Sequence, residues 1–258
     1  MTTTFIRPGR ADVRPGIGAL VLAAGAWALA ADRMSGMDAG PGTELGGLGW
    51  FAVTWLVMMA ARMLPALTPM VVAYARRARS ASGSVAFGAG YLAAWLAAGL
   101  VAYGVFEAVR ALDLGFLAWD DGGRYVAAGV VFAAGLYQLT ARKDSFLHRC
   151  RERRTFVVRH WHPGPLGALR MGAAHGADCV GASWALMAAL FALGVMSLTW
   201  MAVVAVLIGA ERLLSETARW AVALVLVALG TAVAAAPDEV PGLTVPGTTQ
   251  MHMQMQKH

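Results

Sequence analysis

The chain has 258 residues, of which 58% are hydrophobic and only 14% are charged, and its formal net charge is +6 at pH 7. This composition excludes an ordinary water-soluble domain and indicates that most of the chain lies in lipid. The basic residues occupy short loops between apolar runs. We therefore expect an anionic inner leaflet, and not a nucleic acid, as their electrostatic partner.

Apolar runs of membrane-spanning length recur along the whole chain. A spanning helix needs about 20 mainly apolar residues. The sequence predicts an all-α, polytopic transmembrane bundle with seven helices at residues 16–31, 47–74, 85–109, 124–141, 171–193, 197–214 and 219–235. As one helix, the uncharged run 179–210 would be roughly 48 Å long, too long for a bilayer core of about 30 Å. We therefore divide it at residues 194–196.

Six helices is the alternative count, and it arises in two ways. The run 179–210 could form a single helix. The first helix could instead be a cleaved signal peptide, because basic residues precede it and the small-residue run Ala28-Leu29-Ala30 ends it.

The loops alternate in charge, with basic residues before the first helix and acidic residues after it. This alternation predicts a multi-pass protein of a bacterial inner membrane, with its N-terminus in the cytoplasm and its C-terminus outside. Residues 1–15 form the cytoplasmic segment, 16–236 the transmembrane domain and 237–258 a disordered tail. Within the domain, the basic stretch 142–170 should lie along the lipid headgroups.

The second predicted helix carries an arginine, Arg62, among apolar residues. A charge at membrane depth is costly and normally has a partner. We expect Asp178 to be that partner, because both residues fall between the inner half and the midplane of their helices. Pro65 and Pro69 should bend the helix, and such bends often border a cavity in membrane proteins.

One pair of possible metal ligands lies on the fifth predicted helix. His175 and Cys179 are four residues apart and therefore share a helix face. Imidazole and thiolate groups bind copper or zinc. The alternative is an interfacial histidine beside a small packing cysteine.

Methionines supply a second set of candidate soft-metal ligands. Met59 and Met63 share a face of the second helix, and the tail contains Met251, His252 and Met253. Thioethers favour Cu(I). Methionine is also an ordinary filler of apolar cores, and the tail has an alternative interpretation as an incidental polar end.

An ordered set of motifs runs through most of the chain. It comprises WLVMMAARMLP at 55–65, GYLAAW at 90–95, AGLYQLTARK at 134–143, LRMGAAHGADCVGASWALM at 169–187 and GVMSLTWM at 194–201. On these motifs the chain resembles the predicted metal-binding integral membrane proteins catalogued as domain of unknown function 2182. The motif positions that carry the resemblance include Trp55, Pro65, Pro69, Tyr137, Gln138, Cys150 and Trp184.

The chain departs from the pattern of that family at its cysteines. The resemblance implies cysteines where this chain has Phe146, Ala182 and Ser183, so Cys150 and Cys179 are the thiols that remain. It also implies uncharged residues at Arg62 and Asp178. A structural ion pair could therefore have replaced a metal site.

Three functions are consistent with these patterns. The first is a membrane protein that binds or relays copper, with an unidentified periplasmic or membrane protein as its partner. The second is a transporter of ions or small molecules that uses Arg62 and Asp178. The third is a membrane subunit or scaffold without chemistry of its own. An enzyme is least supported, because the sequence has no nucleophile–base pair, phosphate loop or cofactor fingerprint.

Overall fold

The computed structural model describes residues 13–34, 45–112, 122–194, 197–214, 216–240 and 243. These residues form α-helices and one short 3-10 turn at Pro237–Glu239. The α-helices are α1 Arg14–Met34, α2 Leu48–Ala78, α3 Ala81–Ala111, α4 Arg124–Gln138, α5 Ala141–Arg151, α6 Arg153–Arg159, α7 Gly164–Leu193, α8 Leu198–Leu213 and α9 Glu216–Ala235. The all-α prediction is confirmed.

The described residues contain nine α-helices, two more than the seven predicted. Five helices are long and apolar enough to cross a membrane, namely α1, α2, α3, α7 and α9. Helices α4 and α8 form where spanning helices were expected, but they have only 15 and 16 residues. The predicted division after residue 193 is present, because α7 ends at Leu193 and Gly194 takes a positive φ of 113°.

The two additional helices, α5 and α6, lie in the basic stretch that was expected to lie along the headgroups. The Thr140 side chain caps α5 by accepting a hydrogen bond from the backbone N–H of Lys143. Lys143, Leu147 and Cys150 form a buried stripe at helical spacing. The apolar pattern missed this helix because two of the three buried positions are a lysine and a cysteine.

The most extensive contacts between helices join α1 with α2, α3 with α7 and α4 with α9. Two glycines bring the backbones of α3 and α7 into contact. A Cβ atom at Gly90 would overlap the carbonyl oxygen of Leu169, and one at Gly172 would overlap that of Phe87. Small residues commonly permit such close helix packing in membrane proteins. This contact fixes the position of α7 along its axis relative to α3, and α7 carries His175 and Cys179.

Candidate metal centre

The two cysteines of the chain meet inside the bundle. Cys150 on α5 and Cys179 on α7 are both buried, and their Sγ atoms lie 3.1 Å apart. Both are free thiols. The hydrogen bond shared by the two sulfurs, together with burial, raises the pKa of Cys150. The sequence marked Cys150 as a motif position and as one of the two remaining thiols, but its contact with Cys179 was not predicted.

His175 lies one helical turn before Cys179, as its spacing predicted. Its Nε2 atom is 3.6 Å from the Cys179 sulfur. The imidazole is buried among the rings of Phe87, Tyr91 and Phe156. Its Nδ1 atom has no hydrogen-bond partner among the described residues. His175 is therefore a core residue beside the thiols and not an interfacial one.

The donor set of two thiols and a neighbouring imidazole fits a soft ion such as Cu(I). No group of three His, Cys, Asp or Glu side chains within the described ranges is arranged to hold a metal ion. The two sulfurs are thus the core of the candidate site. Cys150 and Cys179 would hold the ion, and their sulfurs, now 3.1 Å apart, would have to separate for both to bind it.

A guanidinium group from α8 completes the surroundings of the thiols. The positive charge of Arg212 interacts electrostatically with Cys179, Tyr91 and Cys150. Its Nε and Nη2 atoms are buried and have no partner in the described structure. Arg212 was not predicted from the sequence. The signal that was available is a charged residue beside Glu211 at the end of an otherwise apolar helix.

A buried ion pair attaches α5 to α8. The Lys143 ammonium lies 2.7 Å from Oε2 of Glu211, and their side chains are 0% and 2% exposed. Arg151 adds hydrogen bonds from Nη2 to the carbonyl oxygens of Glu211 and Leu214. These contacts hold the helix that carries Cys150 against the end of the helix that carries Arg212.

Two further ion pairs attach α5 to its other neighbours. Asp144 binds Arg219 of α9 at 2.8 Å, and Arg149 binds Asp178 of α7 at 2.8 Å. Each residue of the second pair directly precedes one of the cysteines. The ion pair therefore lies beside the two thiols.

The predicted pair of Arg62 with Asp178 is not formed, because Asp178 binds Arg149. The physical reason is α5, which packs on α7 and brings Arg149 to that carboxylate. Arg62 is only 4% exposed, and its Nε atom donates to the carbonyl oxygen of Met58 at 3.3 Å. Its Nη1 and Nη2 atoms have no partner among the described residues.

The other candidate residues fall in separate parts of the molecule. Met59 and Met63 are buried in the core on α2, and Pro65 and Pro69 lie within the same helix. Two of the remaining motif positions donate hydrogen bonds to another helix, Trp55 Nε1 to the Trp95 carbonyl and the Tyr137 hydroxyl to the Gly181 carbonyl. Trp184 packs on the Tyr137 ring, and Gln138 is buried. The tail candidates Met251, His252 and Met253 lie outside the described residues.

Comparison with known proteins supplies the family. The family model PpoB2, described as a copper chaperone, matches residues 52–235, which include both cysteines, His175 and Arg212. No curated protein and no solved structure matches the chain. The motifs predicted the family catalogued as domain of unknown function 2182, and this prediction is wrong, because the family that matches is PpoB2. The prediction of a metal-binding family is loosely consistent with this match. The chain belongs to the PpoB2 family, described as a copper chaperone.

Proposed function

We propose that this protein is a multi-pass membrane protein that binds Cu(I) between Cys150 and Cys179 and passes the ion to an acceptor. The observation that carries the proposal is the meeting of two buried thiols from different helices at 3.1 Å. Thiolates bind soft and borderline metal ions, Cu(I) among them. Membership of a copper chaperone family agrees with this cargo.

A small set of protein ligands suits a protein that must release its ion. Two sulfurs can hold Cu(I) while leaving coordination positions open to the ligands of an acceptor. His175, 3.6 Å from Cys179, is the nearest further donor and can join after a small side-chain shift. The chemistry is then ligand exchange, in which the thiols of Cys150 and Cys179 lose their protons as the ion binds.

The helix ends indicate where this exchange takes place. The end of α2 reaches the segment after α6, where Arg77 stacks on Trp161 at 4.7 Å. Glu211 at the end of α8 contacts Lys143 on α5. The ends of α2, α4 and α8 therefore lie on the same side of the bundle, and we propose that α4 and α8 also cross the membrane. Because this side carries most of the basic loop residues, we propose that it faces the cytoplasm at the inner membrane, with α5 against anionic lipid.

Metal binding to the purified protein in detergent tests the proposal. Under reducing conditions we expect one Cu(I) per chain, measured by competition with a coloured Cu(I) chelator. Cys150→Ser and Cys179→Ser should each weaken binding at least tenfold, about 1.4 kcal/mol. Ser145→Ala, at an exposed position on α5, is the matched control and should leave the affinity unchanged.

The tail is tested in the same assay. A chain that ends before Met251 should still bind one Cu(I), because we assign the ion to the two cysteines. Loss of copper only on truncation would place the site in the tail. No copper binding in any form, or wild-type affinity in both cysteine variants, would contradict the proposed function.

Transport of an ion or small molecule is the second candidate. The observation that favours it is Arg62, a buried guanidinium whose Nη1 and Nη2 atoms lack a partner among the described residues. Uptake of radiolabelled ions into proteoliposomes tests this alternative. It requires flux that Arg62→Gln abolishes and that the two cysteine variants leave unchanged.

A further inference from the structure

We propose that Cys150 and Cys179 form a reversible oxidation site, in which a disulfide bond between them prevents Cu(I) from binding. A small hydroperoxide is the oxidant, and a dithiol restores the two thiols. The loss of copper binding rests on the proposed function, because it concerns the same two sulfurs. The disulfide itself needs no metal, so its formation is tested separately.

The distance between the two sulfurs is the first step in the argument. A disulfide bond is about 2.05 Å long, so the Sγ atoms, now 3.1 Å apart, must approach each other by about 1 Å. Binding one ion between them requires the opposite movement. A sulfur within a disulfide also offers no thiolate to a metal. The oxidised pair and the metal-bound pair therefore exclude each other.

Contacts on both sides of the thiols hold α5 against α7. Arg149 and Asp178, which directly precede the two cysteines, form an ion pair at 2.8 Å. Phe146, one turn before Cys150, packs closely on Gly181, where an added Cβ atom would lie 2.7 Å from the ring. The two sulfurs are therefore held in contact in the reduced protein. Such proximity favours a bond between them over a bond to another chain.

The exposure of the two thiols sets the order of the reaction. Cys150 is 8% exposed and Cys179 is 0% exposed, so the oxidant reaches Cys150 first. The Cys150 sulfur attacks the peroxide and breaks its O–O bond, which gives a sulfenic acid and an alcohol, or water from hydrogen peroxide. The Cys179 sulfur then displaces the hydroxyl group, which leaves as water with the Cys179 proton as the S–S bond forms. Because burial slows the first step, we expect the reaction to take minutes to hours.

The thiol count of the purified full-length protein tests the disulfide. The chain has two cysteines, so a thiol-reactive mass tag added after denaturation reports on this pair alone. We expect two tags per chain before treatment with hydrogen peroxide, none after it, and two again after a dithiol reduces the bond by exchange. In Cys179→Ser the sulfenic acid of Cys150 meets no second thiol, so it should accumulate and be trapped by dimedone.

Copper titration of the same samples tests the effect on binding. Once the peroxide is removed, the Cu(I) affinity of the oxidised protein should be lower by about 100-fold or more, because neither sulfur can bind as a thiolate. Reduction and removal of the dithiol should restore the affinity. The double variant Cys150→Ser with Ser145→Cys is the matched control, because it keeps two thiols but places one at an exposed position on α5. It should form no disulfide within the chain.

The opposite outcomes separate this inference from the proposed function. Two free thiols in the wild-type protein after prolonged treatment, or a disulfide within the chain of the control variant, would overturn the oxidation site. A disulfide that left the Cu(I) affinity unchanged would overturn its effect on binding. If the disulfide formed but the reduced protein bound no Cu(I), the proposed function would fail and the oxidation site would stand.

Discussion

The buried pair of Lys143 and Glu211 allows a prediction with a definite magnitude. In Lys143→Met the Glu211 carboxylate stays buried, and its Oε1 atom already lacks a partner among the described residues. Removing one member of a buried ion pair costs about 3–5 kcal/mol, because a charge remains without compensation. Burial already lowers the pKa of Lys143, although the carboxylate opposes this shift. The 2.7 Å contact therefore offsets a large desolvation penalty.

Thermal and denaturant unfolding in detergent measure this loss. At roughly 2–4 °C per kcal/mol for a chain of this size, Lys143→Met should lower the melting temperature by about 6–20 °C. The double change Lys143→Met with Glu211→Leu should recover most of the loss, because apolar residues of similar volume can replace a buried ion pair. Arg142→Met, at an exposed position on α5, is the control. A wild-type melting temperature in Lys143→Met, or a double variant as unstable as the sum of the single changes, would refute the reasoning.

Two predictions address the remaining contacts around the site. Arg149→Gln removes an ion pair with Asp178 whose arginine is 52% exposed, so the free energy of unfolding should fall by less than about 1 kcal/mol. A larger loss in denaturant titration would show that this pair contributes more than its exposure indicates. Gly172→Ala places a methyl group on the Phe87 carbonyl and should cost about 1–3 kcal/mol or more. The control Gly104→Ala faces open space on α3, and equal melting temperatures for the two alanine variants would contradict the close packing.

The long helices were predictable because their evidence is local in the sequence. The lengths of the apolar runs located α1, α2, α3, α7 and α9, and the bilayer thickness required the break near Gly194. The pattern could not reveal α5, because its buried stripe contains Lys143 and Cys150. These side chains become buried only through contacts that α7 and α8 provide.

The site was predictable only where its residues share one helix. His175 and Cys179 are four residues apart, so helical geometry alone brings them together. Cys150 and Cys179 are separated by 29 residues, and their meeting depends on how α5 folds onto α7. The rule that a buried charge needs a partner applies to Asp178, but it does not identify the partner. Arg149 was overlooked because it was assigned to a surface loop.

The attachment of α5 determines whether the two sulfurs can form one site. This helix buries only a narrow stripe, and ion pairs join it to α7, α8 and α9. Ion pairs therefore contribute to its attachment to three helices, whereas α3 and α7 are joined by close backbone packing. Cys179 lies on one helix of the closely packed pair, and Cys150 lies on the helix with the three ion pairs. We expect the loss of those ion pairs to separate the two sulfurs while α3 and α7 remain packed.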